Sequence, residues 1–488
     1  MSMISLSHVT FGYAGSYDLI FDDVSLVLDS DWRLGLIGRN GRGKTTLLKL
    51  LNGTLKGRGQ IFASVPFAYF PYPILDRTRL TEAVLEVANP QVERWMLLKE
   101  FAKLKLSPDL LYRPFCTLSG GEQTKAMLGA LFAGERCFLL IDEPTNHLDA
   151  EARALVGRYL RQKSGFILVS HDRELLDGCV DHILSINRAN LELQQGNFSS
   201  WYANHQAQEQ FEQMEYEKQK REIVRLDTAA RRTAGWSDKT EKRKYGADVA
   251  DRGYVGHKSA KMMKRAKSIA ARRTEAAEKK RSLLKNVETN DAICLHPIAF
   301  HTRQLVSLEN VAIQYDGKTV SKPVNLRINA GDRIALCGRN GCGKSSILKR
   351  IAGQAICHTG TVQIGTGLVV SYVPQDTSFL KGRLADFIVQ SGVDKSLYLT
   401  ILRKLGFLRE QFDKDMCDFS AGQKKKALLA RSLCKQAHLY LWDEPLNYID
   451  VFSRMQIEEM LAACDSTIVF VEHDAAFVKK VATQIVTL

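Results

Sequence analysis

The chain has 488 residues, of which 45% are hydrophobic and 25% charged, and its formal net charge at pH 7 is +14. This composition excludes a disordered or collagen-like chain, and the length predicts about three domains. The charge is local, because the segment from Lys218 to Lys285 holds 22 Lys and Arg against 8 Asp and Glu. The rest of the chain is neutral, so an acidic partner is expected to meet this one segment.

The ten cysteines form no CxxC pair, and several lie in apolar runs, as free buried cysteines do. This usage predicts a reduced, cytoplasmic protein rather than a disulfide framework. The N-terminus shows no basic region followed by an apolar one, so no secretory signal is predicted. No run approaches the roughly 18 apolar residues that are typical of a membrane span.

A long repeat divides the chain. A glycine-rich loop at 38–46 recurs at 338–346, an Asp-Glu-Pro motif at 142–146 recurs at 443–447, and His171 recurs as His473. The offsets are 300, 301 and 302 residues, which indicates two copies of one domain. We expect a first domain over 1–195, an interdomain segment over 196–303 and a second domain over 304–488.

Short, continuous apolar runs precede the motifs in both copies. Such runs are typical of strands that are buried on both faces of a parallel sheet. They span 34–37, 138–141, 167–169, 334–336, 439–442 and 468–471. Because ligands bind beyond the carboxyl ends of such strands, the motifs are expected to converge on one edge of each sheet.

The repeated glycine loop is typical of a nucleotide-phosphate site. Its backbone N–H groups can surround a phosphate, and the helix that follows favours anions. Lys44 and Lys344 are expected to reach the β- and γ-phosphates, and Thr45 and Ser345 to bind Mg²⁺. The other loop residues assigned to ATP binding are Gly38, Asn40, Gly41, Gly43, Thr46, Gly338, Asn340, Gly341, Gly343 and Ser346.

The acidic pairs and the histidines supply the remaining chemistry. Asp142 and Asp443 end apolar runs and suit Mg²⁺ binding. The glutamates that follow them, Glu143 and Glu444, suit the general base that polarises the attacking water. His171 and His473 are placed to contact a γ-phosphate, and Tyr13 and Tyr315 are candidates for contact with adenine.

The basic segment has helical periodicity. Apolar residues lie seven apart at 216, 223 and 230, and again at 262, 269, 276 and 283, with glycines clustered between the two stretches. This pattern predicts an antiparallel helical hairpin with a tip loop at about 234–257. The alternative is a solvated charged linker, but the apolar seam, the sign of the charge and the aromatic residues near the tip favour binding to structured RNA.

Together with the segments 118–123 and 419–424, these features resemble the ATP-binding-cassette superfamily, in which such a segment is called the signature. The resemblance implies that each signature faces the phosphate loop of the other cassette. It assigns ATP contacts to Ser119, Gly120, Gly121, Glu122, Gln123, Ser420, Ala421, Gly422 and Gln423, and metal and nucleotide contacts to Gln375. Tyr72 stands where the first copy should have that glutamine, and Ala421 replaces a signature glycine. Both departures belong to the Lys44 site, which is therefore expected to hydrolyse ATP more slowly than the Lys344 site.

Two cassettes joined by a basic hairpin resemble the ABC-F family, and specifically its antibiotic-resistance branch of Lsa/Vga-like ribosomal protection proteins. The fold class implied is α/β, with two P-loop ATP-binding-cassette domains joined by an antiparallel α-helical hairpin. The implied cofactors are ATP and Mg²⁺. The implied partners are the bacterial ribosome, its 23S rRNA and the P-site tRNA, with no transmembrane partner and a monomer whose cassettes pair internally.

By the same resemblance, the protein would bind the exit site of drug-stalled ribosomes and release lincosamides, pleuromutilins and streptogramin A. The tip residues assigned to ribosome or tRNA binding are Lys244, Tyr245, Arg252 and Tyr254. Three alternatives are a factor that rescues stalled ribosomes without a drug, the ATPase subunit of a transporter, and a DNA-repair ATPase.

Overall fold

The computed structural model describes residues 3–13, 19–90, 92–134, 137–146, 148–187, 190–244, 297–315, 317–407 and 409–488, with residue 295 and five positions between 261 and 272. The chain divides into two compact units. Met1–Ile186, Asn190–Ser199 and Asn290–Leu488 make up the first unit, and Asn187–Ala189 with Ser200–Thr289 make up the second. Both repeats therefore belong to one unit, and the basic segment belongs to the other.

The first repeat contains two sheets. An antiparallel sheet has the order β2-β1-β4, and a larger sheet has the order β5-β6-β7-β3-β8-β9, parallel except for β9. The strands are β1 (Met3–Phe11), β2 (Phe21–Asp29), β3 (Arg33–Gly38), β4 (Arg58–Ala63), β5 (Phe67–Phe70), β6 (Phe138–Asp142), β7 (Phe166–Val169), β8 (His182–Ile186) and β9 (Leu191–Gln195).

The second repeat has the same plan. Its parallel sheet has the order β15-β16-β17-β13-β18, and β10 pairs with β11, β12 and β14 in an antiparallel sheet. The strands are β10 (Gln304–Tyr315), β11 (Lys318–Thr319), β12 (Val324–Asn329), β13 (Arg333–Cys337), β14 (His358–Ile364), β15 (Val370–Val373), β16 (Leu439–Asp443), β17 (Ile468–Val471) and β18 (Gln484–Thr487).

The helices of the two repeats also correspond. In the first repeat they are α1 (Lys44–Leu51), α2 (Thr81–Ala88), α3 (Arg94–Lys103), α4 (Gly120–Ala133), α5 (Ala150–Arg161) and α6 (Arg173–Cys179). In the second they are α8 (Lys344–Ile351), α9 (Leu384–Gln390), α10 (Lys395–Lys404), α11 (Ala421–Cys434), α12 (Val451–Ala463) and α13 (Ala475–Val481). Among the described helices, none combines the length and the apolar character needed to cross a membrane.

The apolar runs read from the sequence are central strands. The side chains of β7, β16 and β17 are buried along their whole length, as strands covered on both faces must be. Parallel pairing sets Asp142 at the end of β6 beside Val169 at the end of β7. The phosphate loop follows the adjacent strand β3, so the carboxyl ends of the three strands bring the motifs to one edge. The α/β class with two cassettes is confirmed.

The interdomain segment begins with one long helix, α7 (Phe198–Lys244), which contains the first part of the basic segment. The prediction that the tip loop starts at Ala234 is wrong, since α7 continues for a further ten residues to Lys244. A single glycine such as Gly235 costs a helix only about 1 kcal/mol, and the Arg and Lys residues around it are good helix formers. The rest of the predicted tip, and the pairing of the two hairpin helices, lie outside the described residues.

Candidate nucleotide sites

Each phosphate loop ends in a glycine that begins a helix. Gly43 and Gly343 both have φ of 95°, in the left-handed region that favours glycine. A Cβ at Gly43 would also lie 2.5 Å from Cγ2 of Ile20, so the position is closed to larger residues. These glycines turn the chain from β3 and β13 into α1 and α8, whose first residues are Lys44 and Lys344.

The loop lysines are folded onto carbonyl oxygens of their own loops. Nζ of Lys44 donates to the carbonyls of Gly38 at 2.7 Å and of Arg39 at 3.2 Å. Nζ of Lys344 donates to the matching carbonyls of Gly338 and Arg339, both at 2.8 Å. Burial lowers the pKa of Lys44, although nearby carboxylates oppose this effect. Both ammonium groups therefore lie within the loop that is proposed to hold phosphate.

A hydroxyl and a carboxylate meet beside each loop. Oγ1 of Thr45 donates to Oδ2 of Asp142 at 2.8 Å, and Oγ of Ser345 donates to Oδ1 of Asp443 at 3.0 Å. Asp443 is fully buried, which raises the pKa of its carboxyl to about 6, and its Oδ2 has no hydrogen-bond partner. A buried, unpartnered carboxylate oxygen beside a hydroxyl matches the oxygen ligands that Mg²⁺ takes in nucleotide sites. Ser345 with Asp443 therefore fits a divalent cation, and Thr45 with Asp142 supplies the same kinds of oxygen atom in the first site.

The candidate bases follow the carboxylates in a strained conformation. Glu143 has φ of 51° and Glu444 has φ of 45°, both unusual for residues with a Cβ. Oε1 of Glu143 lies 3.1 Å from Nε2 of His171, and Oε1 of Glu444 lies 3.6 Å from Nε2 of His473. The backbone thus aims each glutamate at the histidine that follows the next strand.

The two glutamates differ in their electrostatic surroundings. Burial, and then the charge of Asp142, raises the pKa of Glu143 to about 8. Burial also raises the pKa of Glu444, but interactions with His473 and Gln375 outweigh it and bring the pKa below its usual value. Burial and the charge of Lys44 lower the pKa of His171 well below its usual value, so this imidazole is neutral at pH 7.

The predicted adenine-facing tyrosines are exposed at the edges of the sites. Tyr13 and Tyr315 are 46% and 48% exposed, so their rings are free to meet a base. The hydroxyl of Tyr13 shares a 3.0 Å hydrogen bond with Oγ1 of Thr46, and that of Tyr315 a 2.8 Å bond with Oγ of Ser346. These contacts link each ring to its phosphate-loop helix. Contact with adenine stays a prediction.

The signature helices begin with matched caps. Ser119 accepts a hydrogen bond from the backbone N–H of Glu122, whose side chain accepts one from the backbone N–H of Ser119 in return. Ser420 and Gln423 form the same capping box at the start of α11. The caps hold the two helix N-termini, which favour anions, at the cassette surface.

The two cassettes contribute to each other's sites. A cavity of about 500 Å³ is lined by residues of the second phosphate loop and by Gln375, Glu444 and His473. Four other lining residues come from the first cassette: Gly120, Asn146, Leu148 and Arg153. At the first loop, Nδ2 of Asn40 donates to the carbonyl of Tyr448 in the second cassette at 2.7 Å. A Cβ at Gly422 would lie 3.2 Å from this Asn40 nitrogen. Each signature therefore lies at the phosphate loop of the opposite cassette.

The glutamine position differs between the sites, as the sequence predicts. Nε2 of Gln375 donates to Oε2 of Glu444 at 2.8 Å, so in the structure its amide contacts the candidate base. The hydroxyl of Tyr72, which stands at the corresponding place, is buried without a hydrogen-bond partner. Glu143 consequently has no such amide donor from this position.

Two arginines in the cassette contact were not identified from the sequence. Nη1 of Arg153 lies 3.5 Å from Oδ2 of Asp172, and Nη1 of Arg454 lies 3.2 Å from Oδ2 of Asp474. Asp172 and Asp474 follow the two site histidines, so each arginine is tied to the residue next to one histidine. The offset of 301 residues between the arginines, the same as that of the acidic motifs, was the signal that identifies them.

Among the predicted tip residues, Lys244 is the last residue of α7. Tyr245, Arg252 and Tyr254 lie outside the described residues. Their assignment to ribosome or tRNA binding stays a prediction.

Comparison with protein families matches a model described as "ABC transporter" to residues 21–146 and 321–447, just over half of the chain. Among curated proteins, the chain is 28% identical to the ribosome protection protein VmlR of Bacillus subtilis, over 98% of this chain and 85% of the relative. It is 29% identical to the ATP-binding protein Uup of Caulobacter vibrioides, over 96% of this chain and 74% of the relative.

Among solved structures, an archaeal ribosome recycling factor, aABCE1, in complex with the stalk protein aP1 matches 98% of this chain and 87% of its own. The TM-score is 0.64 and the identity 19%. A structure named RNase-L Inhibitor matches 93% of this chain and 83% of its own, with a TM-score of 0.60 and 19% identity. At this identity the likeness establishes a shared fold with two cassettes.

Proposed function

This chain belongs to the ABC transporter family, as an ATPase of the ABC-F type, and from that premise we propose that it is an ATP-dependent ribosomal protection protein. In this proposal it binds the exit site of ribosomes stalled by drugs at the peptidyl-transferase centre. Its hairpin meets 23S rRNA and the P-site tRNA and promotes release of lincosamides, pleuromutilins and streptogramin A. It acts as a monomer, associated with ribosomes in the cytoplasm.

One observation carries the proposal: the match, over 98% of this chain and 85% of the relative, to a protein named as a ribosome protection protein. The charge distribution supports it, because the whole net charge of +14 lies in the segment between the cassettes. Basic side chains neutralise phosphates and release counterions, which drives binding to RNA. The long helix α7 follows the first cassette in the chain and forms the first part of this segment. The tip residues proposed to touch the ribosome are Lys244, Tyr245, Arg252 and Tyr254.

The geometry of the sites suggests how ATP would be used. Lys44 and Lys344 would exchange their carbonyl partners for phosphate oxygens, and the signature of the opposite cassette would contact the same nucleotide. When bound, Mg²⁺ supplies positive charge to the phosphates, and Thr45, Asp142, Ser345, Asp443 and Gln375 are the residues proposed to hold it. Glu143 and Glu444 would orient the attacking water, with His171 and His473 beside them.

Because both cassettes contribute residues to each nucleotide site, ATP could control the affinity of the protein for the ribosome. A nucleotide that touches both cassettes favours their contact, and hydrolysis removes that preference. Since the basic segment joins the two cassettes in the chain, their contact would set the separation of its two ends. Binding to the ribosome would then depend on bound ATP and release on its hydrolysis.

A drug-susceptibility panel tests the proposed function. Expression in a susceptible bacterium is expected to raise the inhibitory concentrations of lincomycin, a pleuromutilin and streptogramin A, but not that of a drug that acts outside the peptidyl-transferase centre. The matched control is the Lys44→Ala/Lys344→Ala protein, which should give no protection. Protection that survives the double substitution, or no protection against any of the three drugs, would contradict the proposal.

A further inference from the structure

The carboxylates of Asp142 and Asp443, which are proposed to hold the cation, accept hydrogen bonds from different sets of donors. Oδ2 of Asp142 accepts two hydrogen bonds, from Oγ1 of Thr45 at 2.8 Å and from the hydroxyl of Tyr69 at 3.0 Å. Asp443 accepts its hydroxyl bond from Ser345 on Oδ1, and its Oδ2 is left without a partner. A phenol therefore covers the carboxylate in one site only.

A tyrosine occupies the same register position in both sheets. Tyr69 in β5 pairs with Leu140, and Tyr372 in β15 pairs with Leu441, each two residues before the carboxylate. Yet the hydroxyl of Tyr372 is buried without a hydrogen-bond partner. The fold consequently tolerates this tyrosine with its hydroxyl unbonded, so the bond from Tyr69 to Asp142 is not required to form the sheet.

The phenol of Tyr69 acts as a donor at neutral pH. A tyrosine phenol has an ordinary pKa of about 10, so at pH 7 the hydroxyl keeps its proton and donates a hydrogen bond to Oδ2 of Asp142. A hydrogen bond to an ionised carboxylate is stronger than one between neutral groups, and it withdraws charge from the oxygen that accepts it. Oδ2 of Asp142 thus has less charge to offer a cation than Oδ2 of Asp443.

We infer that Tyr69 is a positioning residue that lowers the affinity of the Lys44 site for the divalent cation of the nucleotide complex, so that the two ATP sites differ in their Mg²⁺ requirement. This inference rests on the proposed role of Asp142 in holding that cation. It adds a third difference to Tyr72 and Ala421, and all three lie in the same site. A weakly held cation would make the Lys44 site the slower of the two.

The test isolates each site in the full-length chain. Lys344→Ala with Glu143→Gln leaves a non-hydrolysing Lys44 site, and Lys44→Ala with Glu444→Gln leaves a non-hydrolysing Lys344 site. Binding of a fluorescent methylanthraniloyl-ATP is then followed while Mg²⁺ is raised from zero. Tyr69→Phe is compared in the first background and the matched control Tyr372→Phe in the second.

Tyr69→Phe is expected to lower the half-saturating Mg²⁺ concentration about ten- to a hundredfold, as loss of one hydrogen bond to a charged group implies. Tyr372→Phe should leave it within about twofold, because that hydroxyl makes no hydrogen bond. Nucleotide affinity in EDTA should not change in either variant. An unchanged or raised Mg²⁺ requirement in Tyr69→Phe, or a matching shift in Tyr372→Phe, would overturn this inference but leave the proposed function standing. Absence of MgATP binding in both backgrounds would overturn the proposed function with it.

Discussion

Arg173 at the start of α6 in the first cassette donates two hydrogen bonds to the carboxylate of Glu458 in α12 of the second, one of them from Nη1 to Oε2 at 3.2 Å. Glu458 is fully buried, and Nζ of Lys480 lies 3.5 Å from the same Oε2 atom. The contact has no counterpart in the other half of the pseudo-symmetric pair, where Ala475 and Gly157 occupy the matching positions. One buried ion pair therefore joins the two cassettes on one side.

Loss of this ion pair should weaken the contact between the cassettes. Arg173→Met leaves the buried carboxylate of Glu458 without its main partner, which costs about 3–5 kcal/mol for such pairs. We expect less ATP-dependent closure, measured as energy transfer between dyes placed on the two cassettes of the hydrolysis-deficient protein. Arg173→Met/Glu458→Met should recover much of the closure, since two apolar side chains carry no unpaired charge. Equal closure in Arg173→Met and the parent protein would contradict this role.

The two ATP sites should hydrolyse at different rates. Glu143→Gln leaves the Lys344 site active, and Glu444→Gln leaves the Lys44 site active. Because Tyr72 replaces the glutamine that contacts the base and Ala421 replaces a signature glycine, Glu444→Gln is expected to be the slower variant. Single-turnover measurements with radiolabelled ATP determine both rates, and equal residual rates would rule out the asymmetry.

Ribosome binding should depend on unhydrolysed ATP and on salt. The Glu143→Gln/Glu444→Gln protein is expected to stay on ribosomes in the presence of ATP, since hydrolysis is proposed to cause release. Its binding should weaken steeply between 50 and 200 mM salt, by roughly a thousandfold if about six phosphates are contacted. Sedimentation through sucrose cushions at the two salt concentrations measures both effects. Ribosome binding that does not depend on salt concentration, or does not depend on ATP, would contradict the proposed mechanism.

Stability of the first cassette should depend on the ionisation of Glu100. Its buried carboxylate accepts hydrogen bonds from Tyr159 at 2.6 Å and from Lys103 at 2.7 Å, and Nζ of Lys163 lies 2.7 Å away. Burial raises the pKa of Glu100, but these three partners outweigh it and bring the pKa below its usual value. A lowered folded-state pKa adds stability above the unfolded value of about 4.3, and this stability is lost as the pH falls through the folded value.

Glu100→Gln is therefore expected to lower the free energy of unfolding by about 3 kcal/mol at pH 7, and the deficit should shrink below about pH 4. Urea titrations of the variant and the parent protein at pH 7 and below about pH 4 measure this difference in the free energy of unfolding. The control is Glu82→Gln, whose carboxylate lies 3.5 Å from the exposed side chain of Arg94 and should contribute less than about 1 kcal/mol. A deficit that is the same at both pH values would show that the charge of Glu100 does not stabilise the fold.

The sequence by itself determined the two cassettes, the edge of each sheet at which their motifs meet and the location of the net charge. A repeat offset by 300 to 302 residues identifies the domains, and apolar runs before the motifs identify strands whose ends must meet at one edge. The resemblance to ABC ATPases added the signatures and their pairing with the opposite cassette. These inferences hold because parallel strands impose the arrangement whatever the details of packing.

Only the tertiary structure decided which side chains touch. The bonds from Tyr69 to Asp142, from Gln375 to Glu444 and from Arg173 to Glu458 join residues far apart in the chain, and each depends on distances set by strand register and by the contact between cassettes. Tyr69 and Tyr372 show the reason most directly, since the same residue type at the same register bonds its carboxylate in one copy and not in the other. Residue type sets what a group can donate or accept, whereas packing within a few tenths of an ångström decides whether the bond forms.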